Sequence, residues 1–214
     1  SSTTCKRANL AVNKHKRYVF WNQNYPLGRA DIQTQDMIDV DESGLKIEDT
    51  NPNFGKTVSW LRCYLEGEYN HDKKVNCLMA ISADRKYNME WHDVWPQEEG
   101  GTDVYRIYIF FRGLLLGWQP TTLGVPFVSR WTNSHKNPMV LNLITGAGHH
   151  YLFHAPYWSV DEPIEYVFNT IHTHLLMFFN EIQNLDQLTN RLDEIINDME
   201  GFQKYFFHVG FPDN

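Results

Sequence analysis

The clearest pattern in the sequence is a stripe of apolar residues near its carboxyl end. Between residues 186 and 199, apolar side chains recur at helical spacing among polar neighbours, at Leu188, Leu192, Ile195, Ile196 and Met199. This pattern predicts a surface helix with one buried face. An earlier helix is predicted over residues 163–182, because Pro163 suits a first helical turn, where its missing N–H costs nothing. Its block 175–179 is apolar on every side, which is typical of a helix buried at the centre of a domain.

The first two thirds of the chain favour strands. Short apolar or alternating runs, bounded by turn residues, predict strands at 18–21, 75–81, 87–94, 125–131 and 139–144. A hairpin is predicted from 104–111 and 114–118, since Gly113 can take the positive φ that a two-residue turn requires. A helix of about three turns is expected near residues 58–65 from its 3.6-residue period.

These elements predict an α+β fold: a mixed β-sheet in the N-terminal two thirds, packed on a buried central helix and a C-terminal amphipathic helix. The 214 residues contain no linker or internal repeat, so a single domain over 1–214 is expected. Residues 1–17 are expected to form a flexible N-terminal tail. A fold of this size buries a substantial core.

Charge narrows the classes of partner. The formal net charge of −7 argues against a protein that binds nucleic acid by overall charge. The sequence leaves two interpretations of its basic N-terminal run: a local basic patch, or a solvated tail, which such runs more often are. The run comprises Lys6, Arg7, Lys14, Lys16 and Arg17.

Cysteine usage bears on compartment. Three cysteines without a CxxC pair predict neither a zinc ribbon nor a dense disulfide framework, and a cytoplasmic location is favoured. The sequence leaves open whether Cys63 and Cys77 form a disulfide bridge, and whether a targeting peptide was removed earlier. No apolar stretch approaches the roughly 20 residues of a membrane span, so no membrane partner is expected.

Histidines provide one candidate for chemistry. Four imidazoles could bind a metal ion together, at His149, His150, His154 and His172. Their spacing matches no standard metal motif, and histidines bonded within the core are the alternative interpretation. No phosphate-binding loop, dinucleotide fingerprint or serine-hydrolase elbow occurs, and no cofactor or metal is expected.

A carboxylate provides the other candidate. Glu181 follows directly on the apolar block 175–179. Buried there, the carboxylate would need a partner, because desolvation costs several kcal/mol and raises the pKa. Alternatively, Glu181 marks the point where the helix reaches water.

The order of these elements resembles plant ribosome-inactivating proteins of the cereal type, over residues 18–185. The resemblance is carried by the Asn-Pro turn and helix at 51–62, the predicted hairpin at 107–118, the Gly-rich stretch 145–151 and a helix that bears a glutamate. Such enzymes remove one adenine from ribosomal RNA. By this resemblance Glu181 is the catalytic glutamate, which stabilises the oxocarbenium-like ribose, Tyr151 stacks on the adenine, and His149 and His150 lie at the substrate.

The resemblance also implies lost chemistry. Leu114 stands where a first stacking tyrosine is expected, and Asn184 where an arginine is expected. The chain is therefore predicted to be a catalytically degenerate module that acts as a toxin-like or protein-interaction domain. A protein is its expected partner, and the ribosome or its RNA is a further expected partner. The alternatives are an active rRNA N-glycosylase that uses Glu181 and Tyr151, or a histidine-based metalloenzyme. The oligomeric state is left open.

Overall fold

The computed structural model describes residues 6–46, 74–84, 86–94, 103–117, 126–129, 135–178 and 181–212. Within these ranges the strands are β1 Ile38–Lys46, β2 Lys74–Ile81, β3 Lys86–Val94, β4 Pro126–Ser129 and β5 His150–Phe153. The helices are α1 Ala11–Asn22, α2 Val104–Gly117, α3 Pro138–Gly146, α4 Pro163–Leu175, α5 Leu185–Asn197 and α6 Gln203–His208.

The five strands form one mixed sheet in the order β3-β2-β1-β4-β5. The pairs β1–β2 and β2–β3 are antiparallel, whereas β4 runs parallel to β1 and β5 runs parallel to β4. The predicted α+β class with a mixed sheet is thereby confirmed. Strand β1 lies at the centre and continues beyond its last pairing with β4, which joins Val40 to Ser129.

Both faces of the sheet are covered by helices, which gives three layers. One face packs against α4, α5, α6 and the Phe20 side chain of α1, and the other against α2 and α3. Alternate residues of β1 and β2 point to opposite faces. Ile38 and Val40 therefore join the cluster under α2, while Leu45 and Val75 join the cluster under α4.

Several predicted strands are helices. Residues 18–21 belong to α1, which begins at Ala11, inside the expected tail. The predicted hairpin is one continuous helix, α2. Its apolar residues Ile107, Phe110, Phe111 and Leu114 are buried on one helical face, so packing on the sheet overrides the strand propensity of branched and aromatic residues. Residues 139–144 lie in α3, whose first turn holds Pro138 and is capped by Asn137.

Other elements match their predictions. Strands β2 and β3 and the amphipathic helix α5 lie where the sequence predicts them, and α4 begins at Pro163. However, α4 ends at Leu175, and a short 3₁₀ turn follows it, in which Met177 is 65% exposed. The prediction that the apolar block 175–179 is buried on every side is therefore wrong. The predicted helix at 58–65 lies outside the described residues.

Cys77 lies in the middle of β2 and is completely buried. Its thiol is free, and Cys63, the bridge partner that the sequence left open, lies outside the described residues. Burial raises the pKa of this thiol well above its usual value. Within the described ranges, no helix is both long enough and apolar enough to cross a membrane.

Candidate metal centre

Three carboxylates from distant parts of the sequence meet beside the central strand. Asp41 lies on β1, Glu162 directly precedes α4, and Glu165 lies in its first turn. Each offers one oxygen, and these oxygens lie within 4.8 Å of one another. Asp41 is 1% exposed and Glu162 3%, whereas Glu165 is half-buried. We call these three residues the carboxylate cluster.

Strand topology explains why the cluster forms at this point. Asp41 is the first residue of β1 beyond its last pairing with β4. The ends of parallel strands lie at one edge of a sheet, where space is left for functional groups. The start of α4 lies there too, and a helix N-terminus favours negative charge. The cluster therefore combines a rigid strand with the positive end of a helix.

A buried bracing arrangement fixes α4 against β1. One carboxylate oxygen of Asp39 accepts a hydrogen bond from the backbone N–H of Ile164, and the other accepts one from Nε2 of His154, both at 3.0 Å. Asp39 lies two residues before Asp41, so both side chains project from the same face of β1. We call this arrangement the Asp39 brace. It fixes where α4 starts, and with it Glu162 and Glu165.

The brace also changes the acidity of His154, whose side chain is 1% exposed. Burial alone would lower the pKa of this imidazole. The charge of Asp39, its hydrogen bond, and the charges of Glu162 and Asp161 outweigh burial and raise the pKa above the usual value. The protonated ring and the Asp39 carboxylate then form a buried ion pair.

Helix α1 is attached to the residue that precedes the cluster. Nη2 of Arg17 donates to Asp161 at 2.7 Å, Nε of Arg17 donates to its other oxygen, and the Trp21 indole N–H donates to Asp161 at 2.9 Å. The hydrogen bond to Asp161 raises the pKa of Arg17. The guanidinium also lies 4.5 Å from the Trp158 ring. Since Asp161 adjoins Glu162, α1 is held beside the carboxylate cluster.

The residues predicted around the adenine lie at the start of β5. Tyr151 is half-buried and packs against the cluster under α2 and α3. The exposed His150 ring lies 4.7 Å from the Tyr25 ring. His149 is buried with its ring perpendicular to Phe127 at 5.7 Å, and burial, with a smaller contribution from His150, lowers its pKa.

Glu181 lies beyond the other end of α4. Its side chain is 59% exposed, and its carboxylate accepts a 2.8 Å hydrogen bond from Arg191 on α5. Of the two interpretations left open by the sequence, the structure shows the one in which the chain reaches water. Glu181 and Tyr151 therefore contact different parts of the molecule.

The histidine-based metal site is wrong. His154 is bonded to the buried Asp39, and His149 packs on Phe127. Among the described residues, carboxylates rather than imidazoles form the group that can hold a metal ion. Sequence reasoning missed them, although two signals were present: Asp-x-Asp at positions 39–41, and Glu-Pro-x-Glu at positions 162–165, at the start of a predicted helix.

No family model and no curated protein matches the sequence. Solved structures do match. The Mos1 mariner paired-end complex with Mn has a TM-score of 0.73 at 15% identity, over 92% of this chain and 57% of that chain. The Mos1 strand transfer complex has a TM-score of 0.68 at 16% identity, over 82% and 52%. The catalytic domain of Mos1 mariner transposase has a TM-score of 0.64 at 15% identity, over 92% and 85%.

The chain therefore shares the fold of the catalytic domain of Mos1 mariner transposase. It spans about half the length of the Mos1 chains in the paired-end and strand transfer complexes. The resemblance to ribosome-inactivating proteins is therefore wrong, and so are the toxin-like and N-glycosylase functions derived from it. One element that carried it is the hairpin predicted at 107–118; the structure instead has the helix α2, which ends at Gly117.

Proposed function

We propose that this chain is a DNA-processing domain of the transposase type, which holds a divalent cation in the carboxylate cluster and acts on DNA phosphodiesters. The observation that carries the proposal is the convergence of Asp41, Glu162 and Glu165 within 4.8 Å in this fold. Its solved structural neighbours include Mos1 complexes with a transposon end, with Mn and with Mg. We therefore propose DNA as the nucleic-acid partner, in place of the ribosome and its RNA.

The residues present fit a hard divalent cation. Mg²⁺ and Mn²⁺ prefer oxygen ligands, and one or two carboxylates commonly hold Mg²⁺ together with substrate phosphates. Glu165 is half-buried, so the cluster is open on one side, while Asp41 is fixed in the central strand. A cation bound there would polarise a phosphoryl oxygen and lower the pKa of a bound water.

The protein's own groups have separate roles in this proposal. Asp41, Glu162 and Glu165 bind the cation. Asp39 and His154 bind each other and the start of α4, so they position the cluster and contact neither cation nor DNA. Such positioning matters because misplacement of about 1 Å can cost 100-fold in rate.

The test combines cation binding with DNA nicking. Titration calorimetry with MnCl₂ is expected to show binding to the wild-type protein, and supercoiled plasmid is expected to be nicked only when Mn²⁺ is present. Asp41→Asn is expected to lose both properties. Glu194→Gln, which changes an exposed carboxylate on α5, is the matched control and is expected to keep both. Unchanged Mn²⁺ affinity in Asp41→Asn would contradict the proposal.

A second candidate is a DNA-binding domain that does not cut. The sequence contains no Asp or Glu between Asp103 and Asp161, so neither β4 nor the residues that follow it provide a carboxylate, and Arg130 directly follows Ser129. Phosphoryl transfer at two-metal sites uses ions about 3.5–4 Å apart. Three carboxylates suit one ion better than two. Binding of one Mn²⁺ and of duplex DNA, without nicking, would favour this candidate.

A further inference from the structure

The segment between β5 and α4 presents an exposed aromatic ring shortly before the carboxylate cluster. Tyr157 has a backbone φ of 66° and is 50% exposed. A positive φ is uncommon for a bulky residue, and such strained conformations concentrate at active sites and ligand clamps. The backbone thus holds a large ring at the surface against its own conformational preference.

Two arginines lie against this segment, one from α1 and one from the turn before it. Nη1 of Arg7 donates to the Tyr157 hydroxyl at 3.5 Å, and Cζ of Arg7 lies 5.8 Å from the centre of the Tyr157 ring. Arg17 lies over the Trp158 ring and binds the Asp161 carboxylate, which neutralises its charge. In the part of the chain that the structure describes, Arg7 pairs with no carboxylate. We call Arg7 and Tyr157 the Arg7–Tyr157 surface.

This surface is close to the carboxylate cluster along the chain. The backbone N–H of Glu162 donates to the Ser159 carbonyl at 3.1 Å, which closes a tight turn. Only Trp158 separates that turn from Tyr157. The Cα atoms of Tyr157 and Glu162 are therefore no more than about 13 Å apart. This distance spans at most about four nucleotides of one DNA strand.

The surface also lies on the same face of the sheet as the cluster. Asp41 alternates along β1 with Leu45, which packs in the core under α4, so both side chains point to that face. The Phe20 side chain of α1 packs in the same core. Arg17, one turn before Phe20, binds the residue that adjoins Glu162. Helix α1, the aromatic segment and the cluster therefore meet in one helical layer.

An exposed aromatic ring beside an arginine suits a nucleotide whose base is unpaired. Inside a duplex each base is covered by its neighbours, so only a base that has left the stack offers a face to Tyr157. The planar guanidinium of Arg7 can bind a phosphate through two N–H groups. Because the net charge of −7 and the clustered carboxylates repel DNA, a local cation is needed to hold the strand there.

We propose that the Arg7–Tyr157 surface binds an unpaired nucleotide within about four nucleotides of the phosphodiester that reacts at the carboxylate cluster. The base stacks on Tyr157 and the phosphate binds Arg7. This inference rests on the proposed function and names its substrate class, DNA with an unpaired nucleotide beside the reacting position. Stacking accepts every base, so the surface selects DNA by structure rather than by sequence.

Fluorescence anisotropy with two labelled DNAs, a blunt duplex and the same duplex with a short single-stranded overhang, tests the role of the ring. The wild-type protein is expected to bind the overhang duplex about tenfold more tightly. Tyr157→Asn removes the ring but tolerates the positive φ, and is expected to bind both DNAs equally. Tyr157→Phe is expected to keep the preference. The control Tyr105→Asn, which removes a 66% exposed tyrosine from α2 on the other face of the sheet, is expected to behave as wild type.

Two further measurements separate stacking from phosphate binding. A 2-aminopurine base in the overhang should be quenched on binding to the wild-type protein and to Tyr157→Phe, but not on binding to Tyr157→Asn. Arg7→Gln is expected to reduce the salt slope for the overhang duplex by about one unit, because it removes one phosphate contact. Arg112→Gln, which changes an exposed arginine on α2, is its control. Equal slopes in these two variants would exclude Arg7 from the surface.

Mn²⁺ titration of the same proteins separates this inference from the proposed function. Tyr157→Asn is expected to keep the wild-type Mn²⁺ affinity, since the ring is not a ligand. Equal binding of the two DNAs by the wild-type protein, or a preference that survives in Tyr157→Asn, would overturn the surface. A wild-type protein that binds no Mn²⁺, yet shows an overhang preference that Tyr157→Asn removes, would instead contradict the proposed function and leave the surface standing.

Discussion

The two ends of helix α4 present carboxylates in opposite environments. At its start, Glu162 and Glu165 converge with Asp41 beside the sheet, and Asp39 braces the helix from below. Beyond its end, Glu181 is largely exposed and pairs with Arg191. The difference teaches that a glutamate after an apolar run is weak grounds for a functional site. Burial and convergence of several carboxylates are stronger grounds, because buried, closely spaced charged groups cluster at functional sites.

The largest difference between the two ends should appear on breaking the Asp39 brace. Asp39→Ala removes the acceptor of the Ile164 N–H and leaves His154 buried without its counter-charge. We expect a loss of about 3–5 kcal/mol in the free energy of unfolding, as for other broken buried ion pairs. Urea denaturation followed by circular dichroism measures it. Asp186→Ala, at the exposed start of α5, is the control. A similar small loss of unfolding free energy in both variants would mean that the Asp39 brace does not stabilise the fold.

Cation binding should distinguish the ends next. Glu165→Gln and Glu181→Gln make the same chemical change at opposite ends of α4. Glu165→Gln is expected to weaken Mn²⁺ binding at least about tenfold, equivalent to about 1.4 kcal/mol, because it removes one charged ligand. Glu181→Gln is expected to leave the affinity unchanged. Calorimetric titration decides this, and equal affinities in the two variants would rule out Glu165 as a ligand.

A smaller effect is expected in the pH dependence of stability, and it concerns only the start of α4, where the Asp39 brace lies. The pKa of His154 is raised in the folded protein, so its pair with Asp39 stabilises the fold fully below the unfolded value of about 6.5. This contribution is lost as pH rises through the folded pKa. The urea midpoint is therefore expected to fall over that range in the wild-type protein, and to fall less in His154→Gln. Parallel curves for the two proteins would show that His154 does not titrate there.

The smallest effect is expected at Glu181. Its pair with Arg191 is exposed to solvent, and such pairs contribute about 0–1 kcal/mol. Glu181→Gln should lower the unfolding free energy by no more than this, and added salt should reduce the difference further. Urea titrations at low and high salt measure both quantities. A loss above about 2 kcal/mol would show that this end is as tightly coupled as the other.

The sequence predicts those elements whose pattern has one explanation. Helix α5 has a single apolar stripe over polar residues, and β2 is a short, almost completely buried and mainly apolar run. Helices α2 and α3 are rich in aromatic and branched residues, which favour strands by propensity. Their helical period is present in the sequence, but Arg112-Gly113 imitates a turn. Only packing on the sheet decides between the two.

The candidate site depends on strand order, which local patterns do not contain. Asp41 and Glu165 become neighbours only because β1 is central and α4 starts at its edge. A pattern local to the chain, a carboxylate after an apolar block, points to Glu181 instead. The early ending of α4 at Leu175 removes the basis of that argument.

Cys77 makes the opening of this sheet measurable. Its thiol lies at the centre of β2 with a raised pKa, so it forms little thiolate and is shielded from alkylating reagents in the folded protein. Labelling requires the sheet to separate from α4 and α5, which cover that face. The rate at which Cys77 is labelled therefore measures how often the core beneath the carboxylate cluster opens, and it does so with a side chain that the protein already contains.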